Sequence, residues 1–185
     1  MHTFPLSLSK QAILILVSWV LIGFGQPAWY WWLGIIGAAI GLALFWRVLL
    51  CYEAWRPRLI LATCWYAVVT AVHFSWASSH PYPYIYGVTA AFCLLGGLQF
   101  SLFSLLITTE RLRRPLFIVV GASVWTLCEW SRLFFMSGYT WNPVGLLLTG
   151  NIYSLQTASL WGIFGLTFWI TATNLLALRT WIYPP

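Results

Sequence analysis

The chain is 185 residues long, 61% hydrophobic and 6% charged, with three acids against nine Lys or Arg and a net charge of +6. A soluble domain has about a quarter of its residues charged, so this composition excludes a soluble globular fold and places the chain in a bilayer. The positive charge does not imply nucleic acid, because the basic residues fall in short clusters between apolar runs and form no solvated stripe.

In chain order, the basic N-terminus (residues 1–10) precedes an apolar run over 11–24 that has the form of a signal peptide. Gly23-Phe24-Gly25 is a weak cleavage match, Gln26-Pro27 reads as a tight turn, and apolar sequence resumes at Ala28, so 11–24 is expected to be a short first span. Further spans are predicted near 28–50, 59–76, 85–108, 116–136 and 155–178, with a stub over 179–185. Gly34, Gly37 and Gly41 allow close helix approach in the second span. Trp and Tyr recur at the ends of the apolar runs, as expected for rings at headgroup depth.

Lys10, the Arg47–Arg58 connection, the Glu110–Arg114 connection and Arg179 alternate with three connections that carry no Lys or Arg, at residues 25–27, 78–84 and 137–153. Short basic connections stay cytoplasmic. Six spans put all four basic positions on one side, whereas five or seven would not. The expectation is therefore an all-α integral membrane protein, a six-span transmembrane helical bundle with cytoplasmic N- and C-termini.

Glu129 is the only acid inside a long apolar run, and Arg132 follows one turn later. An intramembrane charge costs roughly 2.5–3.5 kcal/mol on insertion scales, and a partner at i+3 lowers that cost. Two readings stand: a self-neutralising pair that locks the helix against its neighbours, or a direct role in handling a polar substrate group. Under the first, replacing both residues by apolar ones should be nearly neutral. Beyond the pair lie Gly138, which frees the backbone, Tyr139 and Trp141, expected to anchor an interfacial loop, and the Asn142-Pro143 turn. Gln156 and Asn174 in the last span offer interhelical hydrogen bonds.

Covalent chemistry is not evident. The chain has no Asp, and its four cysteines are dispersed, three of them within apolar runs where cysteine acts as a small hydrophobe. Its three histidines are too scattered for a metal site, and His73 reads as a hydrogen-bonded interior residue. No catalytic residue, metal site or cofactor is expected.

The run Glu129-Trp130-Ser131-Arg132, then Ser137-Gly138-Tyr139-Thr140-Trp141, Gln156, Gly162 to Leu166 and Asn174 resembles the membrane domain of bacterial apolipoprotein N-acyltransferases. Gly23 to Pro27 and Val72 to Ser78 fit the same order, so the resemblance covers nearly the whole chain. It departs at Tyr139-Thr140, where the family usually has Phe-Pro. The resemblance implies an inner-membrane acyltransferase. Such enzymes take an acyl chain from a phospholipid donor, hold it as a cysteine thioester, and pass it to the N-terminal diacylglyceryl-cysteine of a lipoprotein. It further implies that a nitrilase-like catalytic domain supplies the glutamate, lysine and cysteine, in cis or in trans. This chain carries none of those parts, so it is expected to be inactive alone, anchoring that domain and accommodating lipid tails. The alternative is a non-enzymatic membrane protein, such as a small transporter subunit or assembly partner.

Overall fold

A computed structural model describes residues 6–134, 138 and 140–184, and every regular element among them is helical. Apolar runs in a bilayer have no water to satisfy backbone groups, so they close their hydrogen bonds internally as helices. Helix α1 is Leu8–Gly23, with Ser7 capping the Lys10 N–H at 3.5 Å. A second rod consists of α2 (Trp31–Ile36), a π-helical turn (Gly37–Gly41) and α3 (Leu42–Leu49). Next come α4 (Trp55–His73), α5 (Tyr84–Leu105), the short α6 (Thr109–Arg113), α7 (Leu116–Ser131) and α8 (Ile152–Ile182). Prolines fall where a missing N–H costs nothing: Pro57 in the first turn of α4, and Pro83 and Pro115 at the N-caps of α5 and α7.

Contacts fix the relative directions of the rods. Ser18 meets Gly41 while a Cβ on Gly37 would meet Leu21, so α1 and the second rod run antiparallel. Trp65 donates to Ile15 O and His73 to Ile22 O, so α1 and α4 run parallel. Phe74 packs on Phe92, Tyr66 on Phe100, and Arg58 donates to Ser104 O and Ile107 O, making α4 and α5 antiparallel. Gln99 meets Cys128, Phe103 meets Trp125, Glu129 meets Thr167 and Arg179 meets Leu112, which orients α7 and α8 in turn. Consequently Lys10, Arg47, Arg56, Arg58, Arg111, Arg113, Arg114 and Arg179 gather at one end of the bundle, and Arg132 stands at the other.

The core is aromatic. Phe45, Trp46, Tyr66, Phe100 and Trp125 are fully buried. Phe45 stacks on Trp65 at 4.1 Å, Tyr66 on Phe100 at 4.4 Å, and Trp125 stands edge-on to Phe100 at 5.4 Å. Between membrane helices such contacts act through packing, since lipid tails are as apolar as the side chains.

Among the described residues, four helices are long and apolar enough to cross a membrane: Trp31–Leu49, Tyr84–Leu105, Leu116–Phe134 and Ile152–Ile182, the third including a 3-10 turn at Arg132–Phe134. α1, with 16 residues, is a shorter apolar helix. α8 is broken at Gly162, where φ 65° and ψ −177° interrupt the helix. The 20 residues after the break still span ~30 Å at 1.5 Å each. The segment before it carries exposed Ile152, Tyr153, Leu160 and Trp161.

Candidate functional site at a buried loop

The π turn at Gly37–Gly41 leaves the helical ladder incomplete, and two other helices complete it. Asn174 Oδ1 accepts the Ala43 N–H at 3.0 Å, while its amide donates to Ala38 O at 2.7 Å and Ile170 O at 2.9 Å. Ser18 donates to Gly41 O at 2.6 Å. This joins α1 and α8 to the second rod and sets the height at which α8 approaches α7.

At the end of α7, Glu129 is 1% exposed and Arg132 4% exposed, so both charges lie inside the protein. Glu129 Oε1 accepts the Val144 N–H at 2.9 Å, and Oε2 accepts the Thr167 hydroxyl at 2.6 Å. Thr167 Oγ1 in turn accepts the Gly145 N–H at 3.0 Å. Arg132 Nε donates to Gln99 Oε1 at 2.6 Å and Nη1 donates to Asn142 Oδ1 at 3.3 Å, with the guanidinium 5.5 Å over the Trp125 ring. Gln99 is held for this by donating to Cys128 O at 2.6 Å, and Asn142 donates to Thr70 Oγ1 at 3.5 Å. A buried carboxylate or guanidinium is tolerable only when paired and hydrogen-bonded, and here α5, α8 and the loop contribute the partners, with Thr70 of α4 behind Asn142.

The loop therefore differs from the interfacial anchor expected of it. Asn142, Pro143, Val144, Gly145 and Leu147 are buried, and Val144–Leu148 forms a 3-10 turn inside the bundle. The reason is backbone chemistry: Glu129 and Thr167 satisfy the N–H groups of Val144 and Gly145, which would otherwise need water. Two glycines admit the turn, because a Cβ on Gly34 would overlap the carbonyl oxygen of Leu147, and one on Gly145 that of Ile163. Trp141, 55% exposed, tops the buried turn, with its ring 5.8 Å from each of Phe74, Trp76 and Phe92. These four rings form an aromatic cup over the Arg132 network.

Of the residues singled out in the sequence, Glu129, Arg132 and Trp141 come together here. Gly138 has φ 94°, the left-handed backbone that favours glycine. Tyr139 lies outside the described residues. Gln156 stands apart, exposed on α8 before the Gly162 break. Sequence reasoning missed Gln99, Thr70 and Thr167, although an amide or hydroxyl within an apolar run was a usable signal. The four cysteines are free, and no group of His, Cys, Asp or Glu among the described residues is placed to hold a metal.

A family model described as the apolipoprotein N-acyltransferase N-terminal domain matches residues 18–176, which takes in the end of α1, all of α2 to α7, most of α8, and the whole buried network. The chain belongs to the apolipoprotein N-acyltransferase family. It is 32% identical over 170 residues to an apolipoprotein N-acyltransferase of Chlamydia caviae, covering 86% of this chain and 31% of that protein. It is 31% identical over 175 residues to one of Chlamydia muridarum, covering 90% and 32%. A Bradyrhizobium diazoefficiens apolipoprotein N-acyltransferase matches over 84 residues at 32%, or 45% of this chain. The chain thus spans about a third of the length of the Chlamydia relatives. No solved structure matches it. Family membership and four apolar helices make it a membrane protein.

Proposed function

We propose that this chain forms the multi-pass inner-membrane domain of an apolipoprotein N-acyltransferase, with six spans and both termini cytoplasmic. In that role it serves transfer of an acyl chain from a phospholipid to the N-terminal diacylglyceryl-cysteine of lipoproteins. It anchors the catalytic domain and holds lipid tails against its helices. The observation that carries the reading is the match of residues 18–176 to the N-terminal domain of that family. The collection of eight basic residues at one end of the bundle supports the topology, because a short, basic connection stays in the cytoplasm.

In this reading the end bearing Trp141 faces away from the cytoplasm. The Glu129–Arg132 network supports the proposal by explaining how a polar loop is held at membrane depth: irregular backbone is tolerated there only where protein satisfies it. The pair then holds the loop, and Trp76 and Trp141, the two exposed rings of the aromatic cup, present apolar surface that suits an acyl chain.

A chimera tests this. Residues 18–176 replace the corresponding segment of the Chlamydia caviae apolipoprotein N-acyltransferase, and N-acylation of a diacylglyceryl lipoprotein is read by mass spectrometry. Acylation by the chimera is the expected result. A chimera that inserts stably and retains its melting temperature but acylates nothing would refute the reading.

A further inference from the structure

Among the described residues, two apolar crevices indent the outer surface of the bundle. One, between α1 and α4, holds 450 Å³ and is lined by residues such as Ile15, Trp19, Leu61 and Val68, with no charged side chain. The other, 330 Å³, lies between the C-terminal end of α5, α6 and the start of α7. It is lined by Leu106, Phe117, Val120 and Val124, with Arg111 and Arg114 lining it where α6 meets the start of α7. A wholly apolar crevice takes any lipid tail, but one with cations at its rim selects a headgroup.

The arginines are not equivalent. Arg113 donates to Tyr183 Oη at 3.3 Å and lies 5.6 Å over that ring, so it is engaged in holding the C-terminal turn of α8. Arg111 donates to Leu106 O at 3.1 Å, capping the end of α5 and fixing its guanidinium at the rim. Arg114 has no hydrogen bond or ion pair from its side chain among the described residues. Glu110 is the only acid in this connection.

Depth agrees with a lipid occupant. The run from Leu116 to Val124 descends eight residues along α7, or ~12 Å at 1.5 Å per residue. One leaflet of hydrocarbon is ~15 Å thick. The crevice is thus as deep as the upper part of an acyl chain when the arginines sit at headgroup level.

We infer that this crevice is a binding site for an anionic phospholipid of the adjoining leaflet, its phosphate on Arg114 and Arg111 and one acyl chain along Phe117, Val120 and Val124. The inference rests on these helices lying in a membrane, and not on acyl transfer. It concerns the end of the bundle opposite the Arg132 network, so a failed chimera would leave it standing.

The test is native mass spectrometry of the full chain released from nanodiscs of mixed dioleoylphosphatidylglycerol and dioleoylphosphatidylcholine. The chain should retain phosphatidylglycerol preferentially. Arg114→Gln should reduce that preference about fivefold, the attraction of one surface arginine for an anionic lipid. Val120→Trp, which fills the crevice from a side chain that is 47% exposed, should abolish retention while the melting temperature holds. Soluble glycerol 3-phosphate should not compete. Equal retention of both lipids, an unchanged preference in either variant, or competition by glycerol 3-phosphate would overturn the inference. A benzoylphenylalanine crosslinker at position 120 separates occupants: an adduct of lipid mass supports it, and an adduct of protein mass overturns it.

Discussion

Glu129 and Arg132 stand one helical turn apart at the end of α7 and grip the same loop at two points. Glu129 accepts the Val144 N–H at 2.9 Å, and Arg132 donates to Asn142 Oδ1 at 3.3 Å. Each charge also reaches a different helix, Glu129 to Thr167 of α8 and Arg132 to Gln99 of α5. The acid and the base are therefore two clamps on one segment, with duties beyond neutralising each other.

That geometry changes what a double-mutant cycle should show. Glu129→Gln or Arg132→Met alone leaves one buried charge without its counter-ion, which costs about 3 kcal/mol and lowers the melting temperature in detergent by about 6–12 °C for a chain of this size. A double change to apolar residues, Glu129→Leu with Arg132→Met, removes both charges but also the loop's hydrogen bonds, at about 1 kcal/mol each, so it should recover less than half of the loss. Complete recovery would mean that the pair serves only to neutralise itself.

Asn174→Leu should cost more than an ordinary buried polar substitution. It strips partners from Ala38 O in the π turn and Ala43 N just after it at once, and each buried backbone group left bare costs about 1–3 kcal/mol. Thermal unfolding in detergent reads the loss. A variant within about 1 kcal/mol of the parent would show that the turn repairs its own ladder.

Two glycine substitutions should differ in sign. Gly34→Ala places a methyl against the carbonyl oxygens of Gly25 and Leu147, so the second rod must move off the buried turn and stability falls. Gly87, within α5, has nothing within 4 Å of where a Cβ would stand, so Gly87→Ala should gain up to about 1 kcal/mol from helix propensity. Equal effects at the two positions would refute the close packing of α2 on the loop.

Single cysteines in a cysteine-free background test the proposed topology. Ser79→Cys and Tyr153→Cys, both at exposed positions, should react with an impermeant maleimide added outside the inner membrane. Arg113→Cys should react only after the membrane is opened. Labelling of positions 79 and 113 from the same side would break the alternation of spans.

The all-helical architecture was legible because a chain that is 61% hydrophobic with runs free of charge has few alternatives in lipid. Glu129 and Arg132 were legible for the same reason, since a charge stands out where apolar residues surround it. The burial of the loop was not. Asn142, Pro143 and Gly145 read as surface turn residues, and only the arrival of Glu129 and Thr167 from two other helices removes their need for water. The π turn was illegible because Gly37 and Gly41 equally suit a regular helix, and its cause is an amide on Asn174, 131 residues from Ala43. The break at Gly162 was hidden inside a run whose hydropathy is continuous on both sides.

Glu129 and Arg132 hold the loop's 3-10 turn inside the bundle, and the accessibility of Val144 reports on that hold. Val144 is 2% exposed and contributes its backbone N–H, so Val144→Cys keeps the hydrogen bond to Glu129. In detergent, in a background free of other cysteines, position 144 should be protected from maleimide while Trp141→Cys reacts readily. Adding Glu129→Leu with Arg132→Met, which removes both the acceptor for that N–H and the donor to Asn142, should then expose position 144. Labelling of Val144→Cys as fast as Trp141→Cys with both charges intact would contradict the account.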